Sequence, residues 1–158
     1  MQRRKLRKKE EKEISREVKE TAGVSIEGDM EILEFGEVKI ILVNNKAFLL
    51  EFGGRHYVSV YGAIKLKPEK YEVTVDSGAA DFIMNGADVM KPGIFYADPR
   101  IKKDNFVYVT VGAKKIPIAV GVALCNMEEM KGKGKAVKNI HHVKDKIWMY
   151  LLENGFLS

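Results

Sequence analysis

From Val24 onward the apolar residues of this chain fall in short runs, each cut by residues that favour a turn. Asn44-Asn45-Lys46 separates VKIILV from AFLLEF; asparagine tolerates positive φ, so the pattern predicts a hairpin. Gly53-Gly54 predicts a second turn. HYVSVYGAIKLKP then alternates through Tyr57, Ser59 and Tyr61 to Ile64 and Leu66, which reads as a further strand closed by Pro68. Residues 24–68 therefore read as a small sheet. His56 is its only histidine, and a lone strand histidine reads as structural.

The residues in front of this sheet have a different character. Arg3, Arg4, Lys5, Arg7, Lys8 and Lys9 surround Leu6, and Glu10, Glu11, Glu13, Glu17 and Glu20 follow. With no proline or glycine before Gly23, this predicts a surface helix over about residues 5–22. Its thin apolar stripe is Leu6, Ile14, Val18 and Ala22, with Lys9–Glu13 and Arg16–Glu20 spaced for weak i,i+4 support. Residues 3–9 read either as a solvated arm or as a phosphate-contacting one, and deleting residues 1–9 is expected to lower nucleic-acid affinity without melting the fold.

VDSGAADFIMNGADVMKPGI, residues 75–94, opens the second half. Val73 and Val75 end a strand. Asp76 or Ser77 caps a short helix, Asp81 suits its early turns, and Ala79, Ala80, Phe82 and Ile83 supply a packing face. Asn85-Gly86 ends the helix and Pro92-Gly93 turns the chain. Every residue thus has a local structural job. Ser77 lacks the Gly-x-Ser-x-Gly context of a nucleophile elbow, and MKGKGKAV has Glu129 and Ala136 where a P-loop needs glycine and a hydroxyl. Asp76 and Asp81 are better explained as cap and first-turn residues than as a carboxylate pair. No enzyme signature emerges.

The remainder is strand-rich. NFVYVTVG alternates, and IPIAVGVALC contains Gly121, which predicts a bulge or a close backbone approach. NMEEM reads as a helical turn capped by Asn126. Lys131, Lys133, Lys135 and Lys138 then interleave with Gly132 and Gly134 in a run that reads as a solvated loop or as a phosphate contact. His141 and His142 are adjacent on a strand and face opposite ways, one buried and one exposed, so they make a poor joint metal site.

At 158 residues the chain can hold one full core or two small units sharing one. The net charge of +5 biases it modestly toward polyanions. Cys125 is the single cysteine, which rules out an intrachain disulfide and a cysteine-rich metal site. No apolar run approaches a membrane span, and MQRRKLRKKEEKE carries no secretory h-region, so a cytoplasmic protein without membrane or cofactor is expected.

Taken in order, VDSGAADFIMNGADVMKPGI, VTVG, IAVGVALCNMEEM and KGKGKAVKNIHHVKDKIW resemble a PUA domain, the RNA-binding module of pseudouridine synthases and archaeosine transglycosylases. The ending Lys-Gly-Lys-Ala-Val-Lys-Asn-Ile-His with Asp145 and Trp148 resembles the malignant-T-cell-amplified-sequence family of translation factors more closely. That resemblance implies an α+β chain, with a family-specific helix-plus-sheet domain over residues 1–70 and a PUA pseudo-barrel over 71–158. It implies RNA binding, to rRNA or tRNA, by Gly78, Asn85, Gly86, Ala87, Lys91, Pro92 and Gly93, with Lys133, Lys135 and His141 nearby. It departs from the family at Lys91, where Met-Cys-Pro-Gly is expected. It also implies non-catalytic work at the small ribosomal subunit with an initiation-factor-like partner. The alternative is a protein-interaction adaptor that recruits an RNA-modifying enzyme or initiation-type factor, with RNA contact secondary.

Overall fold

The computed structural model describes residues 2–157. The first sheet comprises β1 (Arg3–Lys5), β2 (Met30–Phe35), β3 (Val38–Val43), β4 (Lys46–Phe52) and β5 (Arg55–Val58), antiparallel and in sequence order. Helix α1 (Lys8–Ala22) packs on it through Glu11, Ile14, Val18 and Ala22. The hairpin turn is where the asparagines predict it, with φ of 49° at Asn44 and 66° at Asn45, and Gly53 and Gly54 make the next turn.

Two elements depart from the sequence reading. The helix begins at Lys8 rather than near residue 5. Residues 3–5 form an edge strand paired with β2, and Arg3 reaches Glu31 at 2.7 Å and Asn45 at 3.0 Å. Leu6 follows them into the core, 5% exposed, its N–H bonded to the Met30 carbonyl. The basic arm is therefore a structural strand, and its removal would take a paired edge and buried Leu6 from the first unit as well as charge. The i,i+4 ion pairs do not form; Glu10 and Glu11 pair with Arg7 and Lys8 at i,i+3. Second, the alternation after His56 ends at Val58, and Val60–Leu66 is helix α2. Ser59 caps it, accepting from the Gly62 N–H while its hydroxyl donates to the Ala47 carbonyl. Gly62 lies against the Phe48 carbonyl, where a Cβ has no room. A helix that close to the sheet needs the glycine, and this tertiary fit overrides the alternating pattern.

The second sheet holds β6 (Glu72–Val75), β7 (Val89–Met90), β8 (Ile94–Ala97), β9 (Phe106–Val111), β10 (Ile116–Ala123) and β11 (Lys135–His142) in the order β7-β11-β10-β9-β6-β8. Only β6 and β9 run parallel. Strands β7 and β8 are the two edges, yet the chain joins them by the 3-10 turn Lys91–Gly93 alone. So short a link spans at most about 14 Å, so the edges must come together and the sheet curls into a nearly closed barrel. The fold is thus α+β, a helix-plus-sheet unit followed by a pseudo-barrel. Gly121 marks the bulge on β10, pressed against the Lys138 carbonyl.

One cluster fills the barrel with Val73, Val75, Ile83, Val107, Val109 and Ile118. The other lies between the sheets, where Tyr57 stacks on Phe106 at 5.1 Å. Helix α4 (Lys146–Glu153) closes it by returning to the first sheet. Ile147, Leu151 and Phe156 enter that core, and Tyr150 packs edge-on to Phe35 at 5.2 Å.

Candidate nucleic-acid interface

The site is built around helix α3 (Ser77–Ile83), which bridges β6 to the barrel edge β7. The Asp76 carboxylate accepts from the Ala79 N–H at 2.8 Å, and its own N–H donates to the Gly93 carbonyl. The start of the helix is thereby tied to the 91–93 turn. A Cβ on Gly93 would lie 2.7 Å from that of Ala79, so this glycine is needed by the helix–turn packing. At the other end the Ala87 N–H bonds to the Phe82 carbonyl and the Gly86 N–H to that of Ile83. Gly86 closes this Schellman geometry with φ of +101°.

Strand β11 fixes the outgoing turn. The Asn139 side-chain amide donates to the Ile83 and Ala87 carbonyls at 3.0 and 2.9 Å, while its backbone N–H donates to Asp88. The second Asp88 oxygen pairs with Lys135 at 3.1 Å, and the Lys91 N–H bonds to the Gly134 carbonyl. These ties leave a preformed groove of about 780 Å³ between α3, the 91–93 turn and β7. Phe82, 71% exposed, and Met90, 45% exposed, give it apolar walls beside Ala79, Ile83 and Pro92. Its charged groups are Asp76, Asp88 and Lys135, so the groove itself is not cationic.

Of the residues expected at the site, Gly78, Gly86, Ala87, Pro92, Gly93 and Lys135 line this groove. Asn85 bonds back to the Asp81 carbonyl of its own helix, while Lys91 is half-buried in the adjoining turn and Lys133 is exposed on the loop beyond it. His141 is displaced from the site altogether. It is fully buried, its Nδ1 2.8 Å from Asp145, because its strand position faces the core. Burial alone would push the Asp145 carboxyl up, but the His141 ring and the Trp148 and His142 N–H groups hold it below the ordinary value. The ionised Asp145 caps α4 and anchors the imidazole, a structural role. Lys138 also leaves the lysine cluster; its ammonium lies 5.4 Å over the Phe52 ring of the first sheet.

Sequence reasoning missed Met90, Asp88 and Asn139, and it placed Phe82 on the packing face of the helix, where the structure leaves the ring 71% exposed. Phe82 carried a usable signal: it lies two residues from buried Ala80, roughly 200° around the helix, so it cannot share the inward face of Ala80 and Ile83. Asp88 and Asn139 act only through long-range hydrogen bonds and left no local trace. Among the described residues no three His, Cys, Asp or Glu side chains are placed to hold a metal ion.

Comparison with known proteins places these features in context. Residues 72–146 match the family described as eIF2D, PUA domain, and residues 2–66 match a domain of unknown function, DUF1947. An uncharacterized protein of Methanocaldococcus jannaschii is 43% identical over 125 residues, 78% of this chain and 77% of its own. A conserved PUA domain protein from Thermoplasma acidophilum superposes with a TM-score of 0.80 at 30% identity, covering 94% of this chain and 99% of that one. Translation machinery-associated protein 20 of Schizosaccharomyces pombe is 36% identical over 88 residues, 52% of this chain and 49% of its own. Malignant T-cell-amplified sequence 2 of Homo sapiens is 33% identical over 79 residues, 47% and 44% of the two chains. The match thus spans about half the length of these translation-associated relatives.

Proposed function

The chain belongs to the PUA-domain family, and from that premise we propose that it is a non-catalytic, translation-associated RNA-binding protein whose contact is the groove beside α3. The observation that carries this reading is a rigid apolar groove with one large aromatic ring held out of the core, Phe82 at 71% exposure. An apolar wall beside carboxylates suits a base and its ribose better than a phosphate. Bases stack on aromatic rings whatever their sequence, at about 1–3 kcal/mol each. Asp76 and Asp88 offer acceptors for an exocyclic amine or a ribose hydroxyl. The flanking lysines, Lys91 in the turn and Lys133 on the exposed loop, stand where the sugar–phosphate chain leaves the groove.

The relative named for the translation machinery supports a translation setting; within it the proposed ligand is tRNA or small-subunit rRNA, the proposed site of action the small ribosomal subunit, and the proposed partner an initiation-factor-like protein. Titration of the protein with unfractionated tRNA and with small-subunit rRNA over a salt series tests this. The two flanking lysines alone give a slope of about −1.4 in log affinity against log salt, which backbone contacts elsewhere on the protein would steepen. A slope near zero on both RNAs sinks the reading and leaves the adaptor role in its place.

A further inference from the structure

A second groove lies on the other unit, about 890 Å³ between α1 and the loop at residues 25–29. The charges of α1 are sorted around the helix. Lys8, Lys12, Arg16 and Lys19 fall on one stripe at i, i+4, i+8 and i+11, and all four line this groove. The next stripe is acidic and partly engaged inward: Glu10 pairs with Arg4 and Arg7, and Glu17 holds the backbone N–H and ring of His56 at 2.6 and 2.7 Å. Lys8 is bound by Asp29 and Glu11. Among the described residues Lys12, Arg16 and Lys19 form no ion pair; of the three acids lining the groove, Glu11 and Asp29 are engaged by Lys8, which leaves Glu27. The groove wall is fixed, because the Asp29 N–H bonds to the Asn44 side chain and the Met30 N–H to Glu11.

A sequence tuned only for helix stability would alternate charge sign at i,i+4; this one sets Lys12 and Arg16, which repel, at that spacing. We propose that this stripe is a second RNA-backbone site, binding phosphates of an RNA through Lys12, Arg16 and Lys19, separate from the groove at α3. It moves the basic contact from residues 3–9, where Arg3 is consumed by Glu31 and Asn45, to the outer face of the helix behind them. The site reads charge rather than sequence, since ammonium and guanidinium groups on a rigid rod contact phosphate and no base edge. It rests on the RNA-binding reading but uses different residues, so the two separate experimentally.

The test compares K12Q/R16Q/K19Q with K102Q/K103Q/K114Q, which removes the same charge from loops of the barrel. Glutamine keeps helix propensity, so circular dichroism and melting temperature should match the parent. With unfractionated tRNA as probe, losing three phosphate contacts should lower affinity on the order of a hundredfold near 0.1 M salt and flatten the salt slope by about two. The control should lose no more than about threefold, as its charges act only at long range. Equal losses in the two variants would overturn the proposal. So would unchanged tRNA binding with lost sedimentation on phosphatidylserine vesicles, which would assign the stripe to an anionic membrane. Phe82→Ala separates the two readings. Weakening by Phe82→Ala with none from the stripe variant overturns this inference alone, and the reverse upholds it while the α3 groove fails. A parent that binds no tRNA overturns both.

Discussion

Gly86 and Phe82 sit four residues apart and should answer to opposite measurements. Gly86 holds φ of +101°, and a Cβ there meets only the His142 ring at 3.6 Å, so its constraint is the backbone. Gly86→Ala should cost about 1 kcal/mol in a thermal or denaturant melt. Phe82→Ala removes an exposed ring, and stability should stay within about 0.5 kcal/mol of the parent. Its effect should appear in tRNA affinity, a loss of about 5- to 150-fold if one base stacks there. A normal affinity with a lowered melting temperature would make Phe82 a packing residue. Legibility divided along the same line. The Asp76 cap, the glycine at 86 and the tight approach at Gly121 could be read from sequence, because each is a local backbone demand. The burial of His141 and the staple by Asn139 could not, because they depend on which way β11 faces once the barrel has closed.

At the scale of elements, β1 and the joint between the sheets, residues 67–71 between α2 and β6, carry the clearest expectations. Leu6 closes the end of α1 against β2 at 5% exposure, so Leu6→Ala should cost about 2–4 kcal/mol, read from urea unfolding. An effect below about 0.5 kcal/mol would restore the solvated-arm reading. Charge composition concealed this strand, since three consecutive basic residues look like a helix end or a tail until Glu31 and Asn45 are placed opposite them. The joint depends on Asp98. Burial opposes its charge, but the Arg100 guanidinium and the N–H groups of Tyr71 and Arg100 win and hold it at about 2 against an ordinary 3.8. A depressed folded-state value contributes stability above the unfolded value and loses it as pH falls through the folded one. About 2 kcal/mol should therefore disappear between roughly pH 4 and pH 2. In Asp98→Asn that acid-dependent step should vanish from the stability-versus-pH curve, and its persistence would assign the acid sensitivity to other carboxylates.

Across the whole molecule, the strand pattern showed only a strand-rich second half; the pseudo-barrel was implied by the family resemblance of its ordered motifs, and the return of α4 to the first sheet was hidden. Helix α4 is apolar enough to be read as a helix, but nothing local says that Leu151 and Phe156 belong with Ile41 and Leu50 rather than with the barrel. The consequence is a core shared by the two sheets, while the α3 groove is held by the hydrogen bonds of Asp76, Asp88 and Asn139. Those ties underlie the central proposal that the groove is formed before RNA arrives and takes a base against Phe82 and Met90. The direct measurement is an NMR titration of ¹⁵N- and methionine-methyl-labelled protein with a short single-stranded RNA. The account predicts that the largest shifts fall on the Met90 methyl and the amides of Phe82, Gly86 and Ala87, with the β1–β5 core unmoved. Shifts centred instead on exposed Phe95 and Tyr96 of β8, or none at saturating RNA, would contradict it.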